Sequence, residues 1–214
     1  MDRHRVGIVI PALNEASTIG AVIEGVIGQG IPIVVDDNSD DDTASVAIEA
    51  GAELVSHATN RGYDGALNSG FDRAAQLGCD YVVTLDADGQ HHPHLVARFI
   101  DALEQGADMA IGIRDRRQRI GEHLFAFVGR LRWGIDDPLC GLKAYRMQIY
   151  NDLGHFDGYR SIGTELAVYA ATHGARVTQI PIMVAAREGR PRFGIGWRAN
   201  RRILRALWLD LRFY

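Results

Sequence analysis

Two cysteines, Cys79 and Cys140, are all that 214 residues carry. That is too few for a disulfide framework or a set of zinc fingers, and it suits a reducing compartment. No uninterrupted apolar stretch approaches the roughly 20 residues that a membrane-spanning helix needs. The opening MDRHRVGIVIPALNE sets basic residues ahead of an apolar run, but the run covers only 6–10 before a polar turn. It reads as a strand and not as a signal peptide. Positive charge is not in excess either: the formal net charge is -4, which argues against nucleic-acid binding. Internal repeats, low-complexity tracts and domain linkers are absent. The absences together indicate one soluble cytoplasmic domain, long enough to bury a sizeable core.

The stretch that organises the rest is YVVTLDADGQHHP at 81–93. Residues 81–85 are aromatic, β-branched or aliphatic, as in a strand buried on both faces. The run then breaks into Asp86, Ala87, Asp88 and Gly89. Two carboxylates this close repel each other unless a cation lies between them. Hard oxygen donors of this kind suit Mg²⁺ or Mn²⁺. Gln90 and the pair His91–His92 add further candidate donors, while an acidic turn capping the next helix is the plain alternative.

Around that stretch, strands read at 6–10, 31–35, 53–57, 108–113, 143–146 and 177–185. Helices read from Ser17 or Thr18 through Ile27, then at 43–50, 65–77, 93–105, 122–133 and 164–173. Alternating strands and helices predict an α/β fold with a mostly parallel sheet covered on both faces. Right-handed crossovers put the strand C-termini on one edge. The polar turns 11–15, 36–42, 60–62 and 86–92 all follow strands, so they share the edge where open α/β sheets bind ligands. The basic segment 114–119 reads as a mobile loop. An acidic edge facing Arg-rich segments at 114–119 and 187–205 suits a metal-bound, phosphorylated ligand.

Taken in order, VIPALNE (9–15), VVDDNSDDDT (34–43), NRGYDGALNSGF (60–71), TLDADGQHHP (84–93), DDPLCGLKAYR (136–146) and GTEL (163–166) resemble glycosyltransferase family 2, which has the GT-A fold. The likeness is to the soluble dolichol-phosphate mannosyltransferase type and runs from residue 6 to about 194. It implies an inverting transfer from a GDP- or UDP-sugar, dependent on a divalent cation. By the same resemblance Pro11, Ala12, Glu15, Arg61 and Ala87 lie along the donor nucleotide, and Asp37 or Asp36 reads the base edge. Asp86, Asp88 and Gln90 match the triplet that holds the cation. Asp137 falls near the acceptor as first candidate for general base, with Glu165 second. The family's loop after the last strand carries an Arg and then Gly-x-Ser-Lys. Here Pro191 replaces the Ser and Arg192 the Lys, so Arg187, Arg190 and Arg192 become candidates for holding the leaving diphosphate. For a polyprenyl phosphate acceptor, already anionic, Arg114, Arg116 and Arg117 are the candidate phosphate ligands.

Several of these residues have plainer readings. Glu15 also suits a helix start, Asp40 to Asp42 a solvated turn, and His91 and His92 a turn. Cys140 suits a small packed residue and Glu165 an acid paired with an Arg. The loose G-x-G-x-x-A at 194–199 does not follow a strand and is discarded as a dinucleotide site. The sequence divides into a catalytic domain at 1–196 and an amphipathic C-terminal helix at 197–214. That helix is either interfacial, with peripheral attachment to the cytoplasmic membrane face, or packed on the body or on a second subunit of a dimer. The rival functions are a non-catalytic nucleotide-sugar-binding protein, a family 2 transferase with a hydroxyl acceptor, and a nucleotidyltransferase. The last would want a Gly-rich basic loop where PALNE stands.

Overall fold

A computed structural model describes residues 5–117, 119–185 and 197–214. Its seven-stranded sheet runs β3 (Glu53–Ser56), β2 (Ile31–Asp36), β1 (Val6–Ala12), β4 (Tyr81–Thr84), β6 (Lys143–Arg146), β5 (Met109–Arg114), β7 (Val177–Ile182). All pairings are parallel except those of β6, which runs antiparallel to both β4 and β5. Every residue of β1 is buried, as expected for a central parallel strand covered on both faces.

Helices α1 (Ile19–Val26), α2 (Thr43–Glu49), α3 (Gly62–Gln76) and α4 (Leu95–Glu104) are the crossovers of the parallel part. Apolar residues at helical spacing put Ile19, Val22, Ile23 and Val26 of α1 into the core. Helix α3 lies very close to β1: a Cβ at Gly70 would stand 2.2 Å from Val9 Cγ1, so only glycine fits there. The N-terminus of α3 lies three residues earlier than the spacing suggests, because Gly62 at φ 78 can open the helix directly from the turn.

After β5 come α5 (Ile120–Trp133), β6, α6 (Met147–Leu153), α7 (Glu165–Thr172) and β7. The seven-residue α6 is not among the helices read from the sequence, although α2, of equal length, is. Phe71 of α3, Tyr145 of β6, Tyr150 of α6 and Phe156 form one aromatic cluster that joins the two parts of the sheet. The C-terminal α8 (Trp197–Phe213) packs on α5 and adds Ile203, Ala206 and Leu207 to the core.

The reversal of β6 decides which turns meet at the ligand edge. A parallel strand at that place would begin at the far edge of the sheet. Running antiparallel, β6 pairs its first residue, Lys143, with the last of β4, Thr84. The turn at 136–142 is thereby delivered to the edge where β1, β2 and β4 end.

Candidate active site

The turns after β1 and β2 are stitched together. The Asn14 amide donates to Ser39 Oγ at 2.9 Å, the Asp40 amide to Asn14 Oδ1 at 2.8 Å, and the Glu15 amide to Thr43 Oγ1 at 2.8 Å. Asn14 and Asn38 take left-handed φ values of 53 and 66, which Asn tolerates better than most residues. The acidic run 40–42 is therefore more than a solvated turn: Asp41 accepts from the Ala16 amide and from Thr43. Glu15 is buried and its carbonyl accepts the amides of Thr18 and Ile19, which places it under the start of α1.

Asp37 is held by three donors. It accepts from His57 Nδ1, the Arg61 amide and the Gly62 amide, each at 2.7 Å, and His57 Nε2 meets Ser69 Oγ at 2.9 Å. Asp36 instead accepts from the Ser39 amide at 3.3 Å. Pro11, Ala12, Asp37 and Arg61 line one cavity of about 970 Å³, together with Tyr63 and part of the 157–163 loop. Ala87 is fully buried in the core.

Tyr63 links the cavity to the acidic turn, because its hydroxyl donates to Asp86 Oδ1 at 3.2 Å. Burial, and then Asp86, hold its pKa well above the ordinary value, so it stays a donor. Gly89 turns the chain at φ 70, and the Gln90 amide closes back on Asp88 Oδ1 at 3.1 Å. Gly141, near the end of the 136–142 turn, makes room for Asp86: a Cβ there would stand 2.1 Å from Asp86 Oδ2. Asp86 thus points through a gap that only glycine leaves open.

The chemistry of this donor set fits a hard cation. Among the described residues no group of three or more His, Cys, Asp or Glu is arranged for a metal. Two carboxylates with the remaining positions left to substrate phosphates and water is how Mg²⁺ and its analogues are commonly held. Gln90 is turned elsewhere: its Nε2 faces the Ala185 carbonyl at 3.5 Å, and the Ala185 amide donates to the Gln90 carbonyl at 3.0 Å. It ties the end of β7 to the acidic turn. His91 is no ordinary turn residue. It is buried, with Nε2 3.8 Å from Asp86 Oδ2, and burial lowers its pKa and keeps it neutral. Asp86 is five residues away on the same turn, whereas Arg114 and Asp137, which also act on its charge, come from distant segments.

Two expectations for the acceptor side are corrected. Segment 114–117 is not a free basic loop. Arg114 ends β5 and forks onto Asp137, Nε to Oδ2 at 2.8 Å and Nη2 to Oδ1 at 2.9 Å, while its amide also meets Oδ2 at 3.1 Å. Arg117 donates to the Asp136 carbonyl at 2.8 Å, and Arg116 is exposed beside Asp115. Asp137, which is 1% exposed, therefore spends both oxygens on Arg114 and braces the turn that carries Gly141. A carboxylate so engaged is poorly placed to take a proton from an acceptor.

Glu165 is likewise engaged, though by histidine and backbone where the sequence suggests an Arg. Its Oε1 meets His155 Nε2 at 2.9 Å and the Tyr214 hydroxyl at 3.3 Å, and its Oε2 takes the Gly158 amide at 2.5 Å. Cys140 is fully buried, and burial pushes its thiol up to about 12, which makes it a packing residue. Lys143 is a buried amine that the sequence does not single out. Its Nζ donates to the Gly163 carbonyl at 2.6 Å, and burial holds its pKa down against Asp137 and Asp86, among others. Arg187, Arg190 and Arg192 lie outside the described residues.

Comparison with known proteins agrees with this arrangement. A polyprenol monophosphomannose synthase from Mycolicibacterium smegmatis is 31% identical over 211 residues, covering 86% of this chain and 79% of that one. An undecaprenyl-phosphate 4-deoxy-4-formamido-L-arabinose transferase from an Enterobacter species is 29% identical over 86% of this chain, which spans 61% of that protein's length. Among solved structures, glucosyl-3-phosphoglycerate synthase from Mycobacterium tuberculosis in complex with Mn²⁺ and UDP-glucose superposes with a TM-score of 0.78. It is 26% identical and covers 96% of this chain and 78% of its own. The profile described as "Glycosyl transferase family 2" matches residues 7–159, more than half of the chain, and with the sheet-edge site it establishes that the protein belongs to that family.

Proposed function

We propose that the protein transfers a sugar from a nucleoside diphosphate sugar to a polyprenyl phosphate acceptor, using a divalent cation. The observation that carries this is the pair Asp86 and Asp88, set at the end of β4 beside a cavity whose wall includes the tightly held Asp37. Asp37 lies in the cavity wall where the base would dock, and Arg61 and the Pro11–Ala12 turn flank it. When bound at Asp86 and Asp88, Mg²⁺ or Mn²⁺ supplies positive charge against the leaving diphosphate. Tyr63 and Gly141 aim Asp86, and the buried Lys143, held on the Gly163 carbonyl, lies behind it.

The choice of acceptor follows from the engaged acids. A hydroxyl acceptor needs a general base, and Asp137 and Glu165 are both committed to other partners. A phosphate acceptor is already anionic and needs none. The names of the two polyprenyl-linked relatives support the same reading.

The outer surface supports attachment at a bilayer. On α5, Ile120, Leu124, Phe127 and Leu131 form an exposed stripe at helical spacing, and on the adjoining α8 Trp197, Leu204, Trp208 and Leu211 are exposed as well. The only acids on these two helices, Glu122 and Asp210, are buried, whereas Arg130, Arg132, Arg198 and Arg212 are exposed. An apolar stripe flanked by arginines alone complements an anionic lipid surface. Among the described residues no helix is long and apolar enough to cross a membrane, so attachment would be peripheral.

The donor reading is tested by thermal shift and turnover with GDP- and UDP-sugars. A nucleotide sugar should raise Tm by several degrees with Mn²⁺ and much less with EDTA, following the usual ligand linkage. No shift with any nucleotide sugar would end the proposal. The surface reading is tested by sedimentation with phosphatidylglycerol vesicles. Leu124→Ser/Phe127→Ser/Trp208→Ser should lower the bound fraction about ten-fold or more while leaving soluble-donor hydrolysis intact, because three exposed apolar anchors are lost. Equal binding by the triple variant would place attachment elsewhere.

A further inference from the structure

The cavity beside Asp37 has a part of its wall that the donor reading leaves unused. It is made by Arg160 on the 157–163 loop and by Arg202 and Arg205 of α8. Arg205 joins the two elements, donating to the Arg160 carbonyl at 3.1 Å and to the Tyr159 carbonyl at 3.4 Å. Arg160 sits at φ 60, a left-handed conformation that costs a residue with a side chain about 1 kcal/mol or more. The loop sustains it by winding around Asp157, whose carboxylate accepts the amides of Tyr159, Ser161 and Gly163. Asp210 of α8, buried, receives the hydroxyls of Tyr159 and Thr164, each at 2.6 Å, and fixes the helix against the same loop.

Guanidinium groups lining one cavity repel each other. Among the described residues none of the three is ion-paired with a carboxylate. The acids of the same wall cancel them only in part. Asp37 is taken up by His57, Arg61 and Gly62, and Asp157 by its own loop. Burial, and then Asp157, push Asp64 up to about 7, so near neutral pH much of it carries no charge. Four arginines of the wall, Arg61, Arg160, Arg202 and Arg205, face Asp37, Asp157 and a partly protonated Asp64, so it keeps net positive charge with forked N–H donors, the geometry that suits phosphate oxygens.

We propose that Arg160, Arg202 and Arg205 form the subsite for the phosphate of the acceptor. This rests on the transferase reading and names residues for its second substrate. The donor's diphosphate belongs with Asp86 and Asp88, neither of which lines this cavity; Tyr63 stands in its wall and reaches Asp86 with its hydroxyl. Arg114, a candidate for the acceptor phosphate by sequence, is locked on Asp137. The helix that supplies Arg202 and Arg205 also carries the exposed Leu204, Trp208 and Leu211, so an amphiphile lying along α8 would bring its phosphate to these arginines.

The test uses the full chain with farnesyl phosphate, a short acceptor that does not require vesicles. Arg202→Ala is the first variant, because Arg202 makes no side-chain bond among the described residues and its loss spares the fold. Its KM and calorimetric Kd for farnesyl phosphate should rise about ten-fold or more, as for loss of one charge-assisted phosphate contact. The Kd for nucleotide sugar with Mn²⁺ should stay unchanged, and Arg202→Lys should recover part of the loss. An unchanged Kd for farnesyl phosphate overturns the proposal. Weakened nucleotide-sugar binding with farnesyl phosphate unaffected also overturns it, by assigning the arginines to the donor. If the wild type turns over no nucleotide sugar, the transferase reading falls, yet farnesyl phosphate binding in Arg202→Ala still decides the subsite.

Discussion

Asp88→Ala and Asp86→Ala should each lower donor turnover about a thousand-fold or more, roughly 4 kcal/mol of transition-state stabilisation, while the fold survives. Both side chains end a strand whose own packing does not use their charge, since β4 is held by Val82, Val83 and its pairing to β1 and β6. Removing one of two like charges relieves repulsion and offsets the loss of the Tyr63 hydroxyl's or the Gln90 amide's acceptor, so stability should change little. Gly141→Ala is the companion, because it leaves both carboxylates in place. Its Cβ would stand 2.1 Å from Asp86 Oδ2 and must displace that side chain. It should lose turnover about a hundred-fold with far-ultraviolet circular dichroism unchanged. Isothermal titration of Mn²⁺ with nucleoside diphosphate present and absent checks the mechanism. Full activity in Asp88→Ala with excess Mn²⁺ would show that the cation, if any, is held elsewhere.

Asp137→Ala should instead cost stability, about 3–5 kcal/mol, the usual result of stranding one charge of a buried pair. Arg114 would be left with two of its donors unmatched and with Glu122 at 3.9 Å as the remaining carboxylate. Chemical denaturation gives the loss directly, and Arg114→Met/Asp137→Leu should recover much of it. This result would separate bracing from base catalysis. A base would give an Asp137→Asn variant with normal Tm and abolished transfer; a brace gives a lowered Tm and only as much activity loss as the displaced Gly141 turn imposes. A normal Tm in Asp137→Ala would mean that the pair contributes nothing to the fold.

Much of the architecture was legible in the chain itself. The buried runs and helical spacings placed the strands and α1 to α4 within a few residues, because hydrophobic periodicity is a local property. The polar turns after β1, β2, β3 and β4 were assigned to one edge for a reason that needs no coordinates: parallel strands with right-handed crossovers all end on the same side. Asp86 and Asp88 stood out because a buried strand has no use for two adjacent carboxylates. The amphipathic character of α8 was equally plain, but its inward face and its outward face could not be told apart.

What the tertiary structure alone decided is the fate of the charged residues, because an acid's role depends on which groups the fold carries to it. Asp137 and Arg114 are 23 residues apart, and Glu165 and Tyr214 are 49 apart. Neither pairing follows from spacing, and both engage acids that the sequence offers as catalytic candidates. The antiparallel course of β6 is the source of much of this. It brings the 136–142 turn to the ligand edge, seats Gly141 against Asp86 and buries Lys143 behind it. Sequence periodicity marks a strand but carries no sign for its direction, since side chains alternate alike in parallel and antiparallel ladders. The direction is chosen by how the whole chain packs, and with it the members of the site.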